Sequence, residues 1–319
     1  MVARSLAIVF LLCSISLAQK TAWPTILKGR NMSKVVEVST NDGSQIYRGK
    51  FFQFISDSEI KVNDMRRFAA TAESVHYALK KLPLNLVHPP RFDLDRDTHS
   101  IYIYADIAAY DKAVGVKHSA GYYSKFHRSV YLRKDLFITA TKPNYKLLVH
   151  ELTHLNMHGI IRYSNAWFSE GNAEYMASSF YNNSSYNFST MTANIRKRAL
   201  SFIPPNEKKT KKKDESIPLP NLKALITLDD PQWIKHNNKL APENRYRPYL
   251  AALITVHYFY HIAPNGREKI NRYISDLTSG NKKLRATAQQ RLFQDINLSE
   301  LETKLTTYWK KKGLRISFP

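Results

Sequence analysis

The sequence contains a single cysteine, Cys13, and it lies within the first 18 residues. That stretch has a basic residue at Arg4, an apolar run over residues 6–12 and small residues before Gln19, the layout of a cleavable secretory signal. We therefore predict cleavage near Ala18 and a secreted or periplasmic protein. The mature chain would then contain neither a thiol nor a disulfide, which excludes cysteine-based catalysis and a disulfide framework.

Long apolar runs and acidic residues are also scarce. No apolar run approaches the roughly 20 residues that a membrane-spanning helix needs, so we predict no transmembrane segment. Lysine and arginine number 48 against 26 for aspartate and glutamate, which gives a formal net charge of +22. This excess predicts attraction to a polyanionic polymer, such as an acidic polysaccharide, through a basic surface. The alternative is an ordinary solvated surface of a secreted protein.

The clearest basic cluster is the lysine-rich run at residues 208–213, which lies between Pro204-Pro205 and Pro218. Neither aromatic residues nor a nucleic-acid-binding motif accompanies it, so we predict no specific nucleic-acid recognition. A flexible linker over residues 203–220 is the better interpretation. This linker divides the mature chain into an N-terminal region with strands and helices at residues 19–202 and a helical subdomain at residues 221–319. The sequence gives no indication of the oligomeric state.

The region before the linker is predicted to contain both strands and helices. Strand-like pieces at residues 35–38 and 51–55 flank the turn signal Asn41-Asp42-Gly43, which predicts a hairpin. Asn63 can cap a helix whose apolar residues recur at helical spacing up to Leu82. Core strands are expected at residues 101–104 and 129–132. Because four helices are predicted at residues 246–261, 267–278, 284–293 and 299–311, the fold class is α+β with a mainly helical C-terminal subdomain.

The sequence His150-Glu151-Leu152-Thr153-His154 is the strongest functional signal. On an α-helix, two histidines four residues apart lie on one face about 6 Å apart, close enough to bind one metal ion. Glu151 is rotated by about 100° from His150, which sets it beside the ion in the position of a general base. The pattern predicts one zinc ion per chain, with His150 and His154 as ligands.

A catalytic zinc site needs a third protein ligand and one open position. His158 lies about 12 Å along the helix from His150, too far for one ion, and we interpret it as a surface or loop-capping histidine. The three-histidine pattern HExxHxxGxxH fails at Met157 and Ile160. Glu170 and Glu174 remain as candidates. We assign Glu170 as the ligand and Glu174 as the acceptor that orients a ligating histidine, with the reverse assignment as the alternative.

The segments VHELTH at residues 149–154 and WFSEGNAEY at residues 167–175 resemble the gluzincin metallopeptidases, most closely secreted bacterial proteins described as peptidase-MA-like. In that family the third ligand is the glutamate of a Trp-x-x-Glu-Gly-x-Ala segment, which matches Glu170. The residue one turn later is commonly acidic, which matches Glu174. The resemblance is specific over residues 145–180. Asn172 stands where a larger apolar residue is usual, and exopeptidase specificity is not carried over.

The resemblance implies a zincin-like catalytic domain, with a mixed sheet and an active-site helix, that hydrolyses peptide bonds of peptides or proteins. Gluzincins commonly bind substrate along an exposed strand edge. We expect residues 129–132 to form that strand and residues 121–123 to flank the cleft. Tyr249 resembles a tyrosine that recurs in these proteins and is a candidate donor to the oxyanion, or else a core aromatic residue. The alternatives are hydrolysis of a non-peptide amide and a weakly catalytic or non-catalytic zinc protein that binds polyanionic envelope or matrix polymers.

Overall fold

The computed structural model describes residues 22–41, 43–86, 99–115, 121–182, 184–203 and 216–319. The described residues form a mixed α+β fold, as predicted. Its main sheet has six strands in the order β2-β3-β4-β5-β7-β6. These strands are β2 (Val36–Asn41), β3 (Ser44–Arg48), β4 (Phe52–Ser56), β5 (His99–Tyr104), β6 (Gly121–Ser124) and β7 (Ser129–Arg133). The predicted secretory signal, with Cys13, and the lysine-rich run at residues 208–213 lie outside the described residues.

The hairpin was predicted with the correct turn but with the wrong second strand. β2 pairs antiparallel with β3 across a tight turn that includes Gly43, and β3 then pairs antiparallel with β4. Gly43 has a φ of 78°, which glycine adopts readily and which a tight turn of this kind requires. Because the turn spans so few residues, the chain returns at once as β3. The piece at residues 51–55 is therefore the third strand of a meander rather than the partner of β2.

The other half of the sheet is mostly parallel. β4 pairs parallel with β5, and β5 pairs parallel with β7, so Ile101 and Ile103 of β5 lie in the core. β6 pairs antiparallel with β7 and ends the sheet on this side. The expectation that residues 129–132 form an exposed substrate-binding strand is wrong, because β5 and β6 occupy both edges of β7. Among the described strands, β6 takes the edge position.

Helix α1 (Val62–Lys81) connects β4 to β5 and begins one residue before the predicted cap, since Lys61 rather than Asn63 is the N-cap. Two further helices follow strands of the sheet along the chain: α2 (Ile107–Val114) follows β5, and α3 (Lys134–Phe137) follows β7. Three helices follow β7 and α3: α4 (Tyr145–Ile160), α5 (Ala166–Ser179) and α6 (Met191–Phe202). Short strands complete this half, namely β1 (Ile26–Leu27), β8 (Phe180–Asn182) and β9 (Ser185–Asn187), in the order β1-β9-β8.

The described C-terminal part is helical, as predicted. Its helices are α7 (Leu222–Ile226), α8 (Asp230–Lys239), α9 (Tyr246–His261), α10 (Gly266–Thr278), α11 (Lys282–Phe293) and α12 (Leu298–Lys311). A parallel pair, β10 (Ile217–Pro218) and β11 (Ile316–Ser317), joins its two ends. Among the described residues, no helix combines the length and the apolar character that a membrane crossing requires.

The helices of the C-terminal part pack directly on the predicted metal-binding helices. α5 lies so close to α9 that a Cβ atom on Gly171 would come within 2.6 Å of the Ala252 carbonyl oxygen. The Trp167 ring of α5 contacts the rings of Phe259 and Phe293. Buried apolar residues from before and after residues 203–220 thus form one hydrophobic cluster. This packing fixes α5, and with it Glu170, against the rest of the protein.

Candidate metal centre

Helix α4 carries three of the predicted site residues. It begins after Asn144, whose side chain accepts a hydrogen bond from the Leu147 backbone N–H in the manner of an N-cap. Apolar side chains anchor the helix in the core: Leu148, Val149, Leu152 and Leu155. His150, Glu151 and His154 are only 7%, 8% and 8% exposed. Buried polar groups of this kind require partners, and the partners lie on other elements.

His150, His154 and Glu170 converge on one point. The two histidine Nε2 atoms are 3.1 Å apart. Glu170 Oε2 lies 3.4 Å from Nε2 of His150 and 3.3 Å from Nε2 of His154. In an ideal tetrahedral site with metal–ligand bonds of about 2.0–2.1 Å, neighbouring ligand atoms are about 3.3–3.4 Å apart. The three atoms therefore form one face of such a tetrahedron.

The donor set also fits a metal chemically. Glu170 Oε2 is buried and makes no hydrogen bond among the described residues, although it faces two imidazole nitrogens. Burial opposes its ionisation, but His154 and His150 outweigh burial and hold the pKa of Glu170 well below its usual range. A carboxylate oxygen and two imidazole nitrogens are common ligands of divalent metals. His150, His154 and Glu170 can thus hold a metal ion.

Glu174 lies next to the His150 ring nitrogen, Nδ1, that does not face Glu170. Its Oε1 lies 3.1 Å from His150 Nδ1, although that nitrogen does not make a hydrogen bond of standard geometry. Arg198 of α6 donates two hydrogen bonds to the Glu174 carboxylate, at 2.8 and 3.0 Å. Burial raises the pKa of Glu174, but Arg198 and His150 outweigh it and lower the pKa to about 2. The assigned order, with Glu170 at the metal position and Glu174 beside a histidine, matches this geometry.

The metal-free centre keeps a proton on His150. Burial lowers the pKa of His150, but the carboxylates of Glu170 and Glu174 outweigh this effect and raise the pKa to about 10. The imidazole is therefore positively charged at neutral pH when no metal is bound. Because a metal ligand must present an unprotonated nitrogen, metal binding has to remove this proton.

His154 has a different environment. Its Nδ1 lies 3.0 Å from the hydroxyl oxygen of Ser169, and the Tyr123 ring stacks on its imidazole at a centroid distance of 6.0 Å. Sequence reasoning missed Ser169 and Arg198. Ser169 precedes Glu170 directly, and no local pattern distinguishes its role. Arg198 is one of three consecutive basic residues that follow Ile195, so its pairing with Glu174 had no signal in the sequence.

Glu151 lies between the metal position and the edge strand β6. The Tyr123 backbone is close enough to this carboxylate to lower its pKa. A Cβ atom on Gly121 would lie 3.5 Å from Glu151 Cγ, so the strand passes in direct contact with this side chain. Burial raises the pKa of Glu151 above its usual range, against the opposing effect of His150 and His154. The carboxylate thus lies near the three converging groups without being one of them.

Tyr249 and His158 both line the cleft. The Tyr249 ring lies 6.3 Å from the ring of His150 and packs edge-on against Trp233 of α8. Burial, then the nearby Glu170, raises the pKa of Tyr249 well above its usual range. His158 is not one of the converging residues, as predicted. The interpretation of His158 as a surface or capping residue is wrong, because the side chain is half-buried in the cleft wall and hydrogen-bonds with the Tyr123 hydroxyl.

The converging residues line a cleft of about 730 Å³. β6 and the end of α4 form one wall, and α8 with the start of α9 forms the other. A cleft of this volume is in the range of pockets that bind small molecules and peptide side chains. The site therefore combines a potential metal position, a buried carboxylate beside it and space for a ligand.

Comparisons with known proteins do not identify this chain. No protein-family model matches the sequence, and no curated protein matches it either. The resemblance to gluzincins therefore stays a prediction that rests on the motif residues and on the geometry described above.

Proposed function

We propose that the protein is a secreted zinc metallopeptidase of the gluzincin type that hydrolyses peptide bonds. The observation that carries this proposal is the pairing of a three-atom metal position with a further acidic side chain, Glu151, which is adjacent but not one of the three. A purely structural metal site is usually closed by four protein ligands and does not require a base. An additional buried carboxylate facing a cleft supports turnover rather than structural metal binding.

The residues have distinct roles in this proposal. His150, His154 and Glu170 would hold zinc, which when bound supplies a Lewis acid for the scissile carbonyl and makes a water molecule more acidic. Glu151 accepts a proton from the attacking water and returns it to the departing amine. Tyr249 donates its hydroxyl proton in a hydrogen bond to the oxyanion, and its hydroxyl is protonated because burial and Glu170 raise its pKa. Glu174 and Arg198 keep His150 in its binding orientation.

The arrangement of elements supports a zincin-like catalytic domain. In this proposal, β6 offers its outer edge to an extended peptide, and backbone hydrogen bonds place the scissile bond over the metal-binding helix α4. Tyr123 of β6 is close to both Glu151 and His154, which supports a peptide position directly above these two residues. The proposal that the protein is secreted rests on the signal-like sequence of residues 1–18.

The second candidate function is a non-catalytic zinc protein that binds polyanionic envelope or matrix polymers. The net charge of +22 is the observation that favours it. This alternative and the peptidase differ in what Glu151 does. A binding protein has no use for a proton acceptor beside the metal, whereas a hydrolase depends on it.

The test compares wild type with Glu151→Gln, using purified mature protein, a peptide library and zinc analysis. We expect about one zinc per chain in both proteins. Wild type should cleave peptides and lose activity with a chelator, whereas Glu151→Gln should lose all but a residual activity, because an amide cannot accept the proton.

Three outcomes contradict parts of the proposal. Equal peptide cleavage by wild type and Glu151→Gln would remove Glu151 from the mechanism. Zinc binding without cleavage of any peptide, combined with tight binding to an acidic polymer, would favour the second candidate function. Cleavage of non-peptide amides alone would keep the metal chemistry and change the substrate class.

A further inference from the structure

An ion pair lines the cleft at the C-terminal end of the edge strand β6. β6 ends at Ser124, and the Nζ atom of the next residue, Lys125, lies 2.6 Å from Oδ2 of Asp230. Asp230 is the first residue of α8, the helix that also packs Trp233 against Tyr249 on the opposite wall. Both Lys125 and Asp230 line the cleft. Their ion pair therefore connects the two walls.

Only a few residues of β6 separate the metal centre from this ion pair. Tyr123, which contacts Glu151 and His154, precedes Lys125 by two positions. At about 3.3–3.4 Å per residue, an extended chain paired with β6 has room for about two residues between these points. A peptide whose end lies about two residues from the metal centre therefore reaches the ion pair. The cleft thus suits a peptide that ends here.

The two partners of the ion pair differ in mobility. Lys125 lies in a turn, has a flexible four-carbon stem and is 47% exposed. Asp230 has a short side chain on a helix whose start is fixed by reciprocal hydrogen bonds between Asp229 and Gln232. A half-exposed ion pair contributes little stability, because water screens the attraction between the two charges. Lys125 can therefore swing into solvent and leave the carboxylate for another cation, whereas Asp230 cannot move away for an anion.

The strand direction indicates which peptide terminus would arrive. Antiparallel pairing is the slightly more stable arrangement for strands. Since β6 runs from Gly121 to Ser124, an antiparallel peptide places its amino end next to Lys125 and Asp230. The group that arrives is then an α-ammonium, which replaces the Lys125 ammonium with a group of the same charge. The number of charges at this end of the cleft does not change.

We propose that Asp230 binds the α-ammonium group of a peptide substrate, which displaces Lys125, and that the protein releases fragments of about two residues from the amino end. This inference rests on the proposed peptidase function and adds its substrate class. His158 and the Tyr123 hydroxyl, which hydrogen-bond to each other, line the space beside the first residue of that peptide.

The test uses the full mature chain loaded with zinc and a short peptide with either a free or an acetylated amino end. The value of kcat/KM is measured for wild type, Asp230→Asn, Lys125→Met and the control Asp295→Asn, which changes an exposed aspartate outside the cleft. Acetylation should lower kcat/KM of wild type by at least about tenfold, as expected for a lost hydrogen bond to a charged group. The control and Lys125→Met should keep this preference, and Asp230→Asn should lose it.

A binding measurement separates this inference from the proposed function. Zinc-loaded Glu151→Gln is titrated with the same two peptides, with and without Asp230→Asn. A preference for the free amine that depends on Asp230 supports the subsite, even if wild type hydrolyses neither peptide and the proposed function fails. The inference is overturned if both peptides are cleaved or bound equally, if neither binds, if Asp230→Asn keeps the preference, or if amidation of the carboxyl end has the effect expected of acetylation.

Discussion

The two histidines of the metal centre lie one turn apart on α4 but are held by opposite kinds of neighbours. On the His150 side, the buried carboxylate of Glu174 contacts the imidazole, and the guanidinium of Arg198 contacts that carboxylate in turn. On the His154 side, the partners are the uncharged Ser169 hydroxyl and the stacked ring of Tyr123. All of these partners line the cleft, but Glu174 and Arg198 are charged, whereas Ser169 and Tyr123 are not.

This difference indicates how the centre divides its tasks. A charged and buried set of partners holds His150 rigidly and controls its protonation, because Glu174 raises the pKa of His150 while Arg198 keeps Glu174 ionised. On the His154 side the partners are uncharged, and one of them, Tyr123, belongs to the edge strand β6. We expect the His150 side to govern metal affinity and the His154 side to govern contact with the ligand.

Replacement of the group shared by both sides should have the largest effect. Glu170 Oε2 is almost equally distant from the two Nε2 atoms, so Glu170→Ala removes the ligand that joins the two sides. We expect zinc affinity to fall by more than the roughly 10–100-fold typical of a residue that only orients a ligand. Competition titration with a chelator measures this loss. Glu268→Ala, at an exposed glutamate of α10, serves as control, and unchanged affinity in Glu170→Ala would reject Glu170 as a ligand.

Glu174→Ala and Ser169→Ala test the comparison directly. Glu174→Ala should weaken zinc binding by about 10–100-fold, because it removes the orienting acceptor and leaves Arg198 without its buried partner. Ser169→Ala should have a smaller effect, since it removes one neutral hydrogen bond worth about 0.5–1.5 kcal/mol. The same titration gives both values, with circular dichroism as a check of folding. Equal losses in the two variants would mean that the two sides do not differ.

The dependence of zinc binding on pH tests the His150 side separately. The pKa of His150 is raised to about 10 without metal, so the proton is present at neutral pH and must leave when zinc binds. Affinity should therefore rise with pH, by up to about tenfold per unit for one released proton, and the slope should flatten as the pH approaches that pKa. Calorimetry in buffers of different ionisation enthalpy counts the proton. In Glu174→Ala the His150 pKa should fall and fewer protons should be released at neutral pH. An identical count in both proteins would contradict the role given to Glu174.

Part of the fold was accessible from local patterns. The start of α4 at Asn144 and the four long C-terminal helices follow from capping residues and apolar spacing, which act over a few neighbouring residues. The strand β3 was missed because the sequence SQIYR alternates only weakly between polar and apolar residues. The edge strand was assigned to β7 instead of β6, since strand order depends on which strands pair and not on their individual composition.

The sequence by itself determined the local geometry of the site. His150, Glu151 and His154 share a helix, and the helical repeat alone sets two imidazoles on one face with the carboxylate beside them. Tertiary structure decided the rest. The convergence of Glu170 on both histidines requires α5 to pack against α4 and α9, and Arg198 and Asp230 come from helices remote in sequence. These contacts depend on side-chain packing between distant segments, which no periodicity within one segment encodes.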